Sequence, residues 1–126
     1  VLHNGLLYMS GEGPLIDLQT SATGVVGQDV SVEEAYQHAR LTGLAMLSSV
    51  RRLLGSLDRV ERILSVHGMV NSVPDFKQHP KVMNGFSDLM VQLFGENGRH
   101  ARAAVGMGSL PDGITVEVTA IFAVKP

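Results

Sequence analysis

Between Ile114 and Val124 every even-numbered position is apolar: Ile114, Val116, Val118, Ala120, Phe122 and Val124. A period of two built from β-branched and aromatic residues predicts a strand with one face laid on a core. The odd positions run Thr115, Glu117, Thr119, Ile121 and Ala123, so the opposite face begins polar and ends apolar. Glu117 demands an explanation, because an unpaired carboxylate is costly to bury and an exposed one occupies a β-favouring position. The segment before it, from Gly98, opens with Arg99, His100 and Arg102 and reads as another strand, leading into a Leu110-Pro-Asp-Gly113 turn. A direct hairpin across that turn would set Glu117 opposite about position 106, leaving Arg102 roughly 13 Å away along the strand.

The remaining chain supplies cover for such a face. Leu6–Met9 is a short apolar strand entered through Asn4-Gly5, and Ser10-Gly-Glu-Gly-Pro14 reads as a loop whose small residues let backbone approach a ligand. Residues 15–29, with Gly24 and Gly27, read as loop or weak edge strand. Ser31-Val-Glu-Glu34 is a capping box that starts a long helix. Its apolar series Ala35, Ala39, Gly43, Met46, Leu47, Val50, Leu53 and Leu54 keeps helical spacing up to Gly55. Val60–Val73 predicts a strand. A second helix starts near Pro80 and carries Val82, Met83, Phe86, Leu89, Met90, Leu93 and Phe94 on one stripe, stopped by Gly95. The order β, α, β, α, β, β predicts a single α+β domain over residues 1–126, with two helices against one face of one sheet. Helices on one side leave Ile121, Ala123 and their neighbours uncovered on the other, and apolar surface of that extent predicts a homo-oligomer.

The formal charge of −2 argues against a general grip on nucleic acid, whose backbone is held by clustered lysine and arginine. Without cysteine there is neither disulfide nor thiolate chemistry. No run approaches the roughly 20 apolar residues of a membrane span, and with no leader pattern the expected location is cytoplasmic. The five histidines, His3, His38, His67, His79 and His100, form no pair at helical ligand spacing, so no metal site and no cofactor is expected. His100 beside Arg102 has two readings, a solvated histidine, which is the favoured one, and a group that tunes an anion site at the arginine. Gly11-Glu-Gly13 and Gly106-Met-Gly108 lack the rest of a nucleotide-binding fingerprint.

Ala101-Arg102, Val105, Leu110-Pro111 and Val116-Glu117-Val118 through Ala120-Ile121 together resemble the C-terminal signature of the RidA/YjgF family of reactive-intermediate deaminases, also labelled L-PSP endoribonucleases. Leu7-Tyr-Met-Ser-Gly11 is similar to that family's early strand, and Val70-Asn-Ser-Val-Pro-Asp-Phe76 to its strand-to-helix junction. Pro80–Leu89, Phe94-Gly95 and Gly98–Arg102 resemble a divergent subgroup. The resemblance implies a chorismate-mutase-like fold with a strand inserted between the last two, assembled as a homotrimer with clefts between subunits. It also implies hydrolysis of enamine or imine intermediates such as 2-aminoacrylate to 2-keto acids and ammonia. In that scheme Arg102 holds the substrate carboxylate and Glu117 positions and activates water, while Ser10, Gly11 and the backbone of Ala104 line the cleft. Either Asn84 or Ser87 stands for the family's cleft asparagine: Asn84 matches in type, Ser87 in distance from Phe94. Ala104 replaces a common cysteine, the family's tyrosine upstream of the first strand has no counterpart within residues 1–126, and Glu12 replaces a common glutamine, placing a negative charge beside an anion site.

Imine hydrolysis needs a carboxylate anchor, a water held by a base and shelter from solvent. Arginine suits the anchor because its planar fork binds carboxylates through two parallel hydrogen bonds. Two other readings stand beside it: a trimer that binds a small carboxylate or keto acid without catalysis, and a ribonuclease, which the acidic charge and few aromatics oppose.

Overall fold

A computed structural model describes residues 1–126. Strand β1 (Leu2–His3) and strand β2 (Leu6–Glu12) form a hairpin where the sequence pattern indicates only a single strand. Its two-residue turn is Asn4-Gly5, both at positive φ (53° and 77°), the backbone twist that matches paired strands. Helix α1 (Val32–Leu54) starts at Ser31 with the predicted capping box. The Glu34 N–H donates to Ser31 Oγ and the Ser31 N–H to Glu34 Oε1, each at 3.1 Å. It stops where Gly55 turns left-handed at φ 85°. Strand β3 (Val60–Asn71), helix α2 (His79–Phe94), strand β4 (Ala101–Met107) and strand β5 (Val116–Val124) complete the chain.

The sheet runs β1-β2-β5-β3-β4, with β3 and β4 parallel and every other pair antiparallel. Segment 110–113 is therefore no hairpin turn: β3 lies between β4 and β5, and α2 is the crossover that makes β3 and β4 parallel. Strand β3 ends two residues earlier than expected. Its last residue, Asn71, turns a buried amide to the carbonyls of Gly24 and Ile114, both at 3.2 Å, tying the irregular segment 13–30 to the sheet.

Strand β2 continues through the stretch expected to be a loop. Met9 pairs with Ala120 and the next pair is Glu12 with Val118, so Ser10 and Gly11 bulge out against Thr119 alone. The extra residue turns Glu12 towards the helices, where its carboxylate accepts from Ser49 Oγ at 2.8 Å.

Both helices lie on the face carrying Leu7, Met9, Ile63, Val66, Val70, Val116, Val118, Ala120, Phe122 and Val124, all buried. The small residues of α1 act as predicted. A side chain on Gly85 of α2 would strike the Tyr36 carbonyl, and one on Gly43 would press on Leu89, so the helices approach closely only through glycine. The helical stripes overreach at their ends: Leu53 is 59% exposed and Leu93 53%. The opposite sheet face is open, with Tyr8, Leu64 and Val105 exposed and Glu117, Thr119, Ile121 and Ala123 half-buried.

Candidate functional site

Arg102 stands on the edge strand β4, in register with the core residue Val66, so its side chain leaves the sheet on the helix side. There it meets the flank of α2. Its Nη1 donates to Asn84 Oδ1 at 2.9 Å and to Ser87 Oγ at 3.2 Å. Asn84 and Ser87 are three apart on one helical face, so the structure uses both residues between which the sequence could not choose.

Behind Ser87 lies His100, and its surroundings correct the expectation of a solvated histidine. Its Nδ1 is 2.7 Å from the Gly98 carbonyl, and its Nε2 is 2.8 Å from Ser87 Oγ. A carbonyl only accepts, so Nδ1 carries the proton, and in the neutral ring Nε2 accepts from the Ser87 hydroxyl. Burial pushes the His100 pKa below its ordinary 6.5 and the charge of Arg102 adds to this, against the opposing pull of the Gly98 carbonyl. Phe86 packs edge-on against the imidazole, centroids 6.4 Å apart. A sequence signal for this corner exists: His100 and Arg102 are two apart on an extended segment and share a face.

No acidic group pairs with Arg102; the one ion pair in the chain joins Arg99 to Glu96 at 3.2 Å. With Nη1 held twice by neutral acceptors, the edge formed by Nε–H and Nη2–H is the fork left for a ligand. A depression of about 300 Å³ opens there, lined by Ser87, Val91, Arg99, His100 and Arg102. Ala104 follows on the same side of β4, partly buried against the core.

Glu117 belongs to a different place. It faces Met69 in register and projects from the open face, with its carboxylate over Gly11, where any side chain would overlap it. It makes no hydrogen bond or ion pair in the chain. Ser10 lies exposed in the adjoining bulge. Glu12, by contrast, is turned to α1, so its charge does not sit beside the anion site as the sequence suggested. Arg102 and Glu117 are thus on opposite faces of the sheet, two strands and three register positions apart, about 14 Å between backbones. One chain gathers Arg102, Asn84, Ser87 and His100 in one corner and Glu117, Gly11 and Ser10 in another.

No helix is long and apolar enough to cross a membrane. The two-layer α+β domain thus carries, at its sheet edge, an arginine whose contacts are all neutral and whose charge no acidic side chain of the chain offsets. Residues 2–122 match the family described as "YjgF/chorismate mutase-like, putative endoribonuclease", and the chain belongs to that family. Protein TCP17 of Trypanosoma cruzi is 43% identical over 116 residues, covering 91% of this chain and 72% of that protein. A crystal structure of an Agrobacterium tumefaciens protein of unknown function superposes with a TM-score of 0.97 at 41% identity, over 100% of this chain and 81% of that one. A Shewanella oneidensis "putative endoribonuclease" superposes with a TM-score of 0.94 at 28% identity, over 98% and 82% of the two chains. The fold is the chorismate-mutase-like fold of this family, with both helices on one face of a mixed five-stranded sheet.

Proposed function

We propose that this protein hydrolyses enamine and imine intermediates of the 2-aminoacrylate type, in a homotrimer whose clefts lie between subunits. The observation that carries the reading is the free fork of Arg102, held by neutral groups and paired with no acid in its own chain. Such a fork takes a planar carboxylate through two hydrogen bonds. In the proposed reaction 2-aminoacrylate first takes a proton on its terminal carbon to give the iminium. Water then adds to the C=N carbon while the Glu117 carboxylate takes the proton that water releases. The resulting carbinolamine receives that proton on nitrogen; as its C–N bond breaks and ammonia leaves, its hydroxyl gives up its proton to solvent, replacing the one first taken up on carbon, and the 2-keto acid remains. The balance is one water consumed and one ammonia released, with no redox step.

Glu117 must reach the water that attacks a substrate anchored on Arg102, whereas one chain keeps the two residues about 14 Å apart on opposite faces. A cleft in which Glu117 of one copy faces Arg102 of another satisfies the chemistry. The half-apolar open face supports assembly of that kind.

The test is the rate of 2-keto acid release from enzymatically generated 2-aminoacrylate, with wild type and Arg102→Ala compared after both are sized by sedimentation. Acceleration lost in an equally assembled variant is expected; equal rates sink the assignment of Arg102. A second reading, carboxylate binding without turnover, draws on the anion corner being complete within one chain while the base is not. Absence of acceleration on every imine tried, with pyruvate still binding, would favour it.

A further inference from the structure

The Arg102 corner contains more than an anchor. An arginine side chain is long and loses much rotamer freedom when fixed, so an anchor that is already immobilised binds its carboxylate at lower entropic cost. Two acceptors hold Nη1, and they differ in kind. Asn84 Oδ1 can only accept, at 2.9 Å. Ser87 Oγ, at 3.2 Å, can accept from Arg102 or turn its own proton towards the same neighbourhood. What decides between these is the group on the far side of the hydroxyl.

We propose that His100 is a positioning residue for the anion site: by accepting the Ser87 proton it commits the Ser87 lone pairs to Arg102 and fixes the guanidinium with its Nε/Nη2 edge towards the ligand. The chain of bonds is continuous. The Gly98 carbonyl accepts from His100 Nδ1–H at 2.7 Å, His100 Nε2 accepts from the Ser87 hydroxyl at 2.8 Å, and Ser87 Oγ accepts from Arg102. The Gly98 carbonyl sets the tautomer, because only a ring protonated at Nδ1 can both satisfy it and leave Nε2 as an acceptor. Phe86 packs against the ring edge-on, limiting its rotation. Gly98 is itself buried, and any side chain there would strike the Met90 carbonyl, so the short turn that delivers this carbonyl has little room to shift. Burial and the neighbouring guanidinium both favour the neutral ring over the charged one, the state this arrangement requires. Removing His100 leaves the Ser87 hydroxyl free to rotate and to donate to Asn84 Oδ1 or to water, so its lone pairs are no longer fixed towards Nη1 and one of the two holds weakens.

The proposal rests on the reading of Arg102 as a carboxylate anchor, and its test separates the two. Pyruvate is titrated calorimetrically into the assembled protein and into R102A, S87A, H100A, H100Q and the S87A/H100A double variant. R102A abolishes binding if the anchor reading holds; pyruvate affinity unchanged in R102A overturns that reading and this proposal with it. H100A and S87A are each expected to weaken binding about 3- to 10-fold, the worth of one hydrogen bond. The double variant should bind no more weakly than S87A alone, since both remove the same hold. H100Q keeps an amide acceptor and donor on a side chain of similar reach but cannot titrate, and should regain most of the loss. Wild-type affinity in H100A alongside loss in R102A overturns the positioning role, as does a double variant that is weaker by the product of the two singles. If H100A fails to fold, H100F, which fills the ring's space without a hydrogen-bonding atom, takes its place: weakened binding that S87A/H100F does not deepen beyond S87A supports the relay, and wild-type affinity or multiplied losses refute it.

Discussion

The corner at Arg102 and the patch at Glu117 each present one charged side chain on the sheet but are finished to different degrees. Arg102 is held by two acceptors from α2, one of them backed by a buried histidine, so its position is decided within one chain. Glu117 has no hydrogen-bond or ion-pair partner in the chain, and its carboxylate occupies the space that a side chain on Gly11 would take. The difference follows from cover: α2 passes over the edge of the sheet where Arg102 emerges, whereas nothing in the chain covers the face where Glu117 emerges. A group under a helix is preorganised at the cost of folding. A group on an open face is positioned only by what later packs upon it.

The largest effect expected from breaking this contrast is on Glu117. Glu117→Gln should lower turnover on 2-aminoacrylate by about 10²–10⁴-fold, while pyruvate affinity holds or rises. Its thermal unfolding should stay within about 0.5 kcal/mol of wild type, the range of a surface change away from any special feature. A large loss of stability would show that Glu117 has a structural partner after all. Next in size, a pair of like substitutions should separate the two layers. Gly85→Ala drives a methyl into the Tyr36 backbone and should cost about 1–3 kcal/mol in chemical denaturation. Gly11→Ala pushes only on the flexible end of Glu117, so stability should hold while turnover falls about 10-fold through displacement of the proposed base. Arg102→Lys keeps the charge but loses the fork, and calorimetry should show pyruvate binding about 10-fold weaker. The smallest effect concerns pH. Burial lowers the pKa values of His38 and His100 below 6.5 in the folded chain, so the unfolded chain binds more protons between the lowered values and 6.5. The stability these groups contribute is fully present above that window and is lost as pH falls through the folded values. Denaturant midpoints at pH 7.5, 6.5 and 5.5 should therefore decline. His100→Gln should flatten the decline, and an equal slope in that variant would remove His100 from the account.

Much of this architecture is legible along the chain because its signals are local. Ser31 and Glu34 name the start of α1 from four residues, Gly55 names its end, and Ala35, Ala39 and Gly43 show which side takes a close neighbour. Strand β2 looks shorter in sequence than it is, because Ser10-Gly11 carries the composition of a loop and only the partner strand reveals a bulge. The surroundings of Glu12 are misleading for the same reason, since one bulged residue exchanges the two faces for everything after it. The nearness of His100 to Arg102 is visible in sequence, but the solvated reading prevails there because its burial depends on Phe86, Ser87 and Gly98, which the fold brings to it from α2 and the following turn.

Periodicity, capping and turn preferences act within a few residues, and for that reason the elements, the two layers and the residues with chemistry to offer can be read from the chain alone. Arg102 and Glu117 stand out there as charged residues worth explaining. That β3 separates their strands, that they emerge on opposite faces, and that Asn84, Ser87 and His100 converge on the arginine are properties of the folded molecule. Strand order and convergence of that kind are settled by burial and hydrogen bonding between segments distant in the chain, and no local pattern encodes which distant segment will be the neighbour.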